Sequence, residues 1–235
     1  MALALFDLDN TLVDRTRAFG RALPLLAEHY GLDPDEVVPF MIETDQDGGV
    51  GWGVWMKLTI ERFGVDTTAE EMETTFRPHY LACYQVEPEA VDGLHRLKDR
   101  GWRIGVVTNG PPSQNEKVTG TGLDRVVDGW VVSEEVGVRK PDRRIFELAS
   151  ARCGAPLDGG WMVGDSAPAD MVGARNAGLR SVWLHRGRDW AEVGHLPDAF
   201  ELAQGLPITQ PTDRFEPDHL ADHPLAAIEL ILSGG

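Results

Sequence analysis

Carboxylates, one lysine and one threonine follow short apolar runs of this chain, and together they could act on an anionic group. The set comprises Asp7, Asp9, Thr108, Lys140 and Asp165. Converging carboxylates repel one another unless a cation lies among them, and hard oxygen ligands of this kind suit Mg²⁺. The residue types therefore predict a phosphoryl-transfer site. One carboxylate would be the nucleophile and a second the acid and base, while the metal ion and the lysine neutralise the developing charge.

Further residues adjoin this set and are candidates for supporting it, namely Thr11, Gly110, Ser166 and Asp170. Each motif has a simpler interpretation when it stands alone. Thr108-Asn109-Gly110 is typical of a turn, and a lysine before a proline is typical of a surface position. Asp170 could equally be a helix N-cap. We expect Thr108, Asn109 and Lys140 to contact the substrate.

Short apolar runs bounded by turn residues predict buried parallel strands. They are Leu3–Phe6, Arg103–Val107, Gly129–Val132, Trp161–Val163 and Ser181–Leu184. Helical stretches lie between most of them, at Ala90–Arg100, Arg143–Cys153 and Asp170–Ala177. This alternation predicts an α/β fold with a Rossmann-like parallel sheet. Ligands bind at the carboxyl ends of such strands, and the candidate residues fall there.

The interval from residue 14 to residue 88 has helical periodicity and no strand signal, which predicts an inserted all-helical domain. The core would then comprise residues 1–13 and 89–235. Within the insertion we predict a helix that ends at Gly31, helices over Asp35–Glu43, Val54–Phe63 and Ala69–Tyr84, and a kink or break at Pro39. Residues 187–224 are rich in proline and are interpreted as irregular, before a helix over Leu225–Leu232.

Composition excludes several classes of partner. The chain has 22 Lys and Arg against 38 Asp and Glu, a formal charge of −16, so nucleic acid would be repelled. No run approaches the roughly 18 apolar residues of a membrane span. Cys83 and Cys153 lack metal-ligand spacing, which indicates free thiols in a reducing compartment and predicts a cytoplasmic protein. The oligomeric state is not predicted.

Taken in order, the motifs resemble those of the haloacid dehalogenase superfamily. The matching positions are Asp7-x-Asp9-x-Thr11, Thr108, Lys140, and Gly164-Asp165 with Asp170. The resemblance covers residues 1–186 and includes a helical cap inserted after the first motif. It implies a Mg²⁺-dependent hydrolase of small phosphomonoesters, whose partner is a small phosphorylated metabolite.

The resemblance also implies a role for each residue. Asp7 attacks phosphorus and becomes an aspartyl-phosphate, and Asp9 protonates the leaving oxygen and then deprotonates the hydrolytic water. Mg²⁺ is bound by Asp7, by Asp165 and by the backbone carbonyl of Asp9. Thr108 and Lys140 hold the phosphoryl group. Asp170 orients Lys140 or the water molecules on the metal.

Several alternatives remain at this point. A sugar phosphomutase shares the core, the cap and both aspartates, and a phosphate-binding regulatory module would keep the fold without turnover. Dehalogenation ranks last, because halide leaves without a proton and needs no acid at position 9, whereas an alkoxide does. Phosphoglycolate, a sugar phosphate and a nucleoside monophosphate all remain open as substrates.

Overall fold

Parallel strands form one sheet in the computed structural model, which describes residues 1–48, 50–194 and 216–234. The strands are β1 (Leu3–Phe6), β2 (Arg103–Thr108), β3 (Gly129–Val132), β4 (Trp161–Gly164), β5 (Arg180–Leu184) and β6 (His219–Ala221). Their spatial order is β3-β2-β1-β4-β5-β6, and all neighbouring pairs are parallel. The predicted Rossmann-like α/β core is therefore confirmed.

The strand order reverses between β1 and β4. The strands β2 and β3 lie on one side of β1, and β4 lies on its other side. Phe6, the last residue of β1, pairs with Val106 of β2 and with Val163 of β4. Open α/β sheets bind ligands at the carboxyl ends of strands, at such a switch point. The residues that follow β1 and β4 therefore stand where this fold places a ligand.

The strand β6 corrects the interpretation of residues 187–224 as irregular. Residues 195–215 of that segment lie outside the described part of the chain. Asp218, just before β6, accepts hydrogen bonds from the backbone N–H and the hydroxyl of Ser181 in β5, at 2.7 and 2.9 Å. A three-residue strand that is anchored by a side chain to its neighbour leaves little trace in hydrophobic periodicity.

A second compact unit comprises Arg15–Gln85 and is helical. Its helices are α1 (Arg15–His29), α2 (Pro34–Asp45), α3 (Trp52–Phe63) and α4 (Ala69–Cys83), with a 3₁₀ turn at Gln46–Gly48. The ring of Phe19 lies 5.0 to 6.1 Å from the rings of Trp55, Phe76 and Tyr80, which form an aromatic core. Trp55 is fully buried there.

The helix α2 continues past Pro39 to Asp45, so of the predicted kink or break at Pro39 the break is wrong. Asp33 caps the helix by accepting the N–H of Asp35 at 2.9 Å. Val37 and Met41, on either side of the proline, are buried in the helical unit. Tertiary packing of this kind outweighs the one hydrogen bond that a proline removes.

The α/β unit comprises Met1–Asp14 and the described residues from Val86 onward. Its helices are α5 (Pro88–Asp99), α6 (Gln114–Gly120), α7 (Ser133–Val136), α8 (Arg143–Cys153), α9 (Val172–Ala177), α10 (Trp190–Val193) and α11 (Pro224–Ser233). Side chains alternate along β1, and Leu3 and Leu5 share a core with Ile145 and Phe146 of α8. The helices α5 and α11 pack on each other.

Two predictions from composition can be compared with the described part of the chain. None of its helices combines the length and the apolar character that crossing a bilayer requires. Cys83 and Cys153 are both free thiols, as predicted. Burial raises the pKa of Cys153 to about 11, so this thiol stays protonated and is a poor nucleophile.

Candidate active site

Asp7 stands directly after β1 and is buried, with 7% of its surface exposed. Its backbone N–H still donates to the carbonyl of Val163 in β4 at 2.9 Å. Hydrogen bonding within the sheet therefore fixes the backbone position from which the Asp7 side chain extends. Burial raises the pKa of Asp7 to about 7, although Lys140 acts in the opposite direction. A carboxylate this poorly solvated needs positive charge beside it to stay ionised.

Lys140 supplies positive charge from a buried position, with 2% of its surface exposed. Its Nζ lies 2.5 Å from Oδ1 of Asp7 and 2.7 Å from Oδ1 of Asp170. Burial alone would lower the pKa of Lys140, but Asp170 and Asp7 together raise it above its usual value. The lysine therefore remains charged at neutral pH.

Asn109 holds the backbone of Lys140. Its Nδ2 donates to the carbonyl of Lys140 at 3.1 Å, and its Oδ1 accepts the N–H of Lys140 at 2.9 Å. Both hydrogen-bonding groups of the Asn109 side-chain amide contact the backbone of Lys140. Contact between Asn109 and the substrate stays a prediction. The turn after β2 thereby positions a lysine that lies 31 residues further along the chain.

Asp170 is fully buried and lies inside a π-helical turn, Ala167–Met171, that precedes α9. The N-cap alternative for Asp170 is therefore wrong, as is a helix beginning there. The cap is Ser166, whose Oγ accepts the N–H of Ala169 at 3.3 Å. Oδ2 of Asp170 accepts the N–H of Ser166 at 3.0 Å. A π turn departs from the 3.6-residue period, which is why the apolar pattern missed it.

Thr108 is the last residue of β2, one position beyond the predicted strand, and is buried. Gly110 follows it with φ of +149°, and its N–H donates to Oγ of Ser133 at 3.0 Å. Thr11 is fully buried in the turn after β1, where its N–H donates to the carbonyl of Leu8 at 3.3 Å. These residues shape the turns at the edge of the sheet.

Asp9 has two partners that the sequence motifs do not predict, Lys117 and Gln114. Nζ of Lys117 lies 2.8 Å from each of its carboxylate oxygens, and Nε2 of Gln114 lies 2.8 Å from Oδ2. Both residues belong to α6, the helix that follows the turn at Gly110. The available signal was their spacing of three, which places them on one face of a helix that begins at the edge of the sheet.

Asp165 follows β4 and also has a partner that the sequence motifs do not predict, Arg188. Nη2 of Arg188 donates to the carbonyl of Asp165 at 2.8 Å and lies 3.1 Å from Oδ2. Nε1 of Trp183 also donates to that carbonyl, at 2.9 Å. Arg188 lies in the segment interpreted as irregular, and no local pattern marks it as part of a site.

The arrangement fits a divalent cation. Asp7, Asp165 and Asp170 each offer a carboxylate oxygen, and these oxygens lie within 4.8 Å of one another. Lys140 and Arg188 offset two of the three negative charges, which leaves an excess of hard oxygen donors at a buried place. Mg²⁺ prefers such ligands. The cluster could therefore hold Mg²⁺ at the switch point of the sheet.

A doubly wound sheet whose switch point carries a buried carboxylate beside a buried lysine provides the framework of a hydrolase with a carboxylate nucleophile. The comparison with protein families agrees with this class. The model of the haloacid dehalogenase-like hydrolases matches residues 1–178, and the chain belongs to this family.

Individual relatives resemble different lengths of the chain. The phosphoserine phosphatase of Thermus thermophilus is 41% identical over 105 residues, which span 44% of this chain and 42% of that protein. The glyceraldehyde 3-phosphate phosphatase of Pyrococcus abyssi is 28% identical over 78% of this chain and 81% of its own length. The crystal structure of a phosphatase of the same superfamily from Thermococcus onnurineus covers 100% of this chain and 99% of its own, at 26% identity and a TM-score of 0.64.

Proposed function

We propose that this hydrolase is a phosphatase that cleaves small phosphomonoesters with Mg²⁺ and carries the phosphoryl group on Asp7. One observation carries the proposal. The Asp7 carboxylate lies 2.5 Å from Nζ of the buried Lys140 and shares a cluster with Asp165 and Asp170. Two relatives that are named phosphatases support the reaction type.

The chemistry proceeds in two steps. Asp7 attacks phosphorus, the ester bond breaks, and the leaving oxygen takes a proton from Asp9. A water molecule then gives a proton to Asp9 and attacks the aspartyl-phosphate, which releases inorganic phosphate and restores Asp7. Thr108 and Lys140 contact the phosphoryl oxygens in both steps, where the positive charge of the lysine offsets the charge that develops on them.

Mg²⁺ would be held by Asp7, by Asp165 and by the backbone carbonyl of Asp9. When bound, the ion supplies positive charge that offsets the phosphoryl oxygens and the ionised carboxylates. Asp170 has a different role. One of its oxygens pairs with Lys140 and the other accepts the N–H of Ser166, so we assign it to the orientation of the lysine.

Asp9 favours phosphate ester hydrolysis over dehalogenation. An alkoxide is a poor leaving group, and a well-placed general acid accelerates its departure by about 10²–10⁴. Halide needs no such acid. A phosphomutase would use the same residues, and a hexose phosphate assay separates the two, because a mutase returns an isomerised sugar phosphate and a phosphatase releases free phosphate.

The test of the proposal is the hydrolysis of 4-nitrophenyl phosphate by the unchanged chain and by Asp7→Asn. We expect activity with Mg²⁺ and loss of it with a chelator. Asp7→Asn should reduce kcat by about a thousandfold or more, because it removes the nucleophile. Asp158→Asn, at an exposed position, is the matched control and should keep full activity. Equal rates for Asp7→Asn and the unchanged chain would refute the proposal.

A further inference from the structure

Two side chains of α6 converge on Asp9, and neither belongs to the motifs that predicted the site. Gln114 and Lys117 lie on one face of the helix, because they are three residues apart. They are buried, with 3% and 9% of their surfaces exposed. The amide nitrogen of Gln114 and the ammonium group of Lys117 each lie 2.8 Å from the carboxylate of Asp9. The position of this carboxylate thus depends on a helix more than a hundred residues away in sequence.

The amide of Gln114 also contacts Thr108, since its Nε2 lies 2.7 Å from Oγ of that residue. In its ionised form, which Asp9 adopts once it has given its proton to the leaving oxygen, the carboxylate can only accept hydrogen bonds. The nitrogen of the amide, and not its oxygen, therefore faces Asp9 in this form. The two hydrogens on this nitrogen are then divided between Asp9 and Thr108. Because the Thr108 hydroxyl accepts one of them, its own hydrogen is left to donate to another acceptor.

Gly110 permits this approach of the helix. A Cβ at Gly110 would lie 3.0 Å from Cγ of Gln114, and the residue adopts a φ of +149° that disfavours other side chains. The turn after β2 and the first residue of α6 therefore fit together closely. A side chain at position 110 would press on Gln114, whose Nε2 contacts Thr108.

We propose that Gln114 and Lys117 are positioning residues for the reaction. Gln114 sets the Thr108 hydroxyl as a donor to the transferred phosphoryl group, and Lys117 together with Gln114 holds the Asp9 carboxylate in place. The inference rests on the proposed phosphatase function, in which Thr108 contacts the phosphoryl group and Asp9 moves the proton. Proton transfer requires hydrogen-bond reach, and a misplacement of about 1 Å costs about a hundredfold in rate.

The role of Gln114 is tested by the binding of inorganic phosphate in the presence of Mg²⁺, measured by calorimetry. Gln114→Met keeps the length of the side chain and removes both N–H donors. We expect it to weaken phosphate binding about tenfold, because the Thr108 hydroxyl is then no longer oriented to donate its hydrogen bond to the charged phosphate. In a Thr108→Val background the same change should weaken binding by less than about twofold, because the hydroxyl that Gln114 orients is gone.

Equal losses in the two backgrounds would overturn this role, and so would an unchanged chain that binds no phosphate. Binding does not depend on turnover. A chain that binds phosphate with the expected pattern but hydrolyses no ester would therefore contradict the proposed phosphatase function while supporting the role of Gln114.

The role of Lys117 is tested by hydrolysis of 4-nitrophenyl phosphate. Its leaving group needs little acid, so kcat depends mainly on Asp9 as the base that activates the hydrolytic water, and the rate of Asp9→Asn remains measurable. Lys117→Met should lower kcat about tenfold with KM changed less than about twofold, and Lys117→Arg should restore part of the rate. In an Asp9→Asn background Lys117→Met should cost less than about twofold. The same loss in both backgrounds would show a purely structural lysine and overturn the proposal.

Lys57→Met is the matched control, because Lys57 is exposed on α3 and its ion pair with Glu61 is 3.8 Å long. It should leave kcat and KM unchanged. Circular dichroism establishes that each variant is folded. Should Lys117→Met not fold, Lys117→Gln replaces it in both backgrounds, with the same expected outcomes.

Discussion

At the scale of single residues, the contact between Gly164 and Asp170 shows how closely the buried charges are fitted. A Cβ at Gly164 would lie 2.2 Å from Oδ2 of Asp170, well inside van der Waals contact. The other oxygen of Asp170 lies 2.7 Å from Nζ of Lys140. The absence of a side chain at position 164 thus gives Asp170 the room from which it contacts the lysine.

The prediction at this scale concerns Gly164→Ala. The added methyl group must displace Asp170 and, through it, Lys140. We expect the free energy of unfolding to fall by about 1–3 kcal/mol and kcat for 4-nitrophenyl phosphate to fall at least about tenfold. Urea unfolding and steady-state kinetics measure the two effects. Gly20→Ala is the control, since a Cβ at that exposed position of α1 meets nothing within 4 Å. A variant Gly164→Ala with unchanged kcat would contradict the proposed role of Asp170.

At the scale of elements, Asp128 joins the beginning of β2 to the beginning of β3. Its Oδ2 accepts the N–H of Ile104 at 2.8 Å, and its Oδ1 accepts from Nη1 of Arg103 at 2.7 Å. Burial raises the pKa of Asp128, but these hydrogen bonds and the charge of Lys98 outweigh it, so the pKa lies below its usual value. The carboxylate therefore stabilises the strand pair that ends at Thr108.

The prediction at this scale is a stability difference that depends on pH. The folded-state pKa of Asp128 lies below the unfolded value of about 4, so its contribution is present above that value and disappears as the pH falls through the folded-state pKa. Asp128→Asn should lower the free energy of unfolding by about 1–3 kcal/mol at pH 7. The difference from the unchanged chain should shrink below about pH 4.

Chemical denaturation across this pH range measures the difference. Asp66→Asn, at an exposed position of the helical unit, is the control and should match the unchanged chain throughout. A difference for Asp128→Asn that stays constant from pH 7 to about pH 3 would show that ionisation of Asp128 is not its source.

At the scale of the whole molecule, negative charge dominates. The formal charge is −16, and three carboxylates are buried together at the switch point of the sheet. Lys140 and Arg188 offset two of these charges. A divalent cation bound to the folded chain would offset the remainder, and a ligand that binds only the folded state stabilises it by an amount that grows with the logarithm of the ligand concentration above Kd.

The prediction for the whole molecule is stabilisation by Mg²⁺. At a concentration about a hundredfold above Kd, the ion should add about 2.7 kcal/mol to the free energy of unfolding and raise Tm by several degrees. Asp165→Asn should abolish most of the shift, because it removes a proposed ligand. Thermal unfolding with Mg²⁺ and with a chelator measures the effect. The same shift in Asp165→Asn as in the unchanged chain would place the ion elsewhere.

Local patterns in the sequence were sufficient for the core strands and for the order of the motifs. Strands such as Leu3–Phe6 and Gly129–Val132 are short apolar runs bounded by turn residues, and the structure has both with the predicted bounds. The family followed from motifs at fixed positions, and the family model confirms it. These features could be predicted because each depends on residues that are adjacent in the chain.

Tertiary structure alone decided the contacts that complete the site. Lys117 lies beside Asp9, 108 positions away in the sequence, and Arg188 lies beside Asp165, 23 positions away. The strand β6 pairs with β5, and Asp218 just before it accepts the N–H of Ser181 in β5. The spacing of Gln114 and Lys117 indicates that they share a helix face, but no apolar period and no local motif gives their partner, since such contacts arise where the sheet brings separate strand ends together. The sequence by itself determined which residues stand at the edge of the sheet, and the fold decided which side chains hold them there.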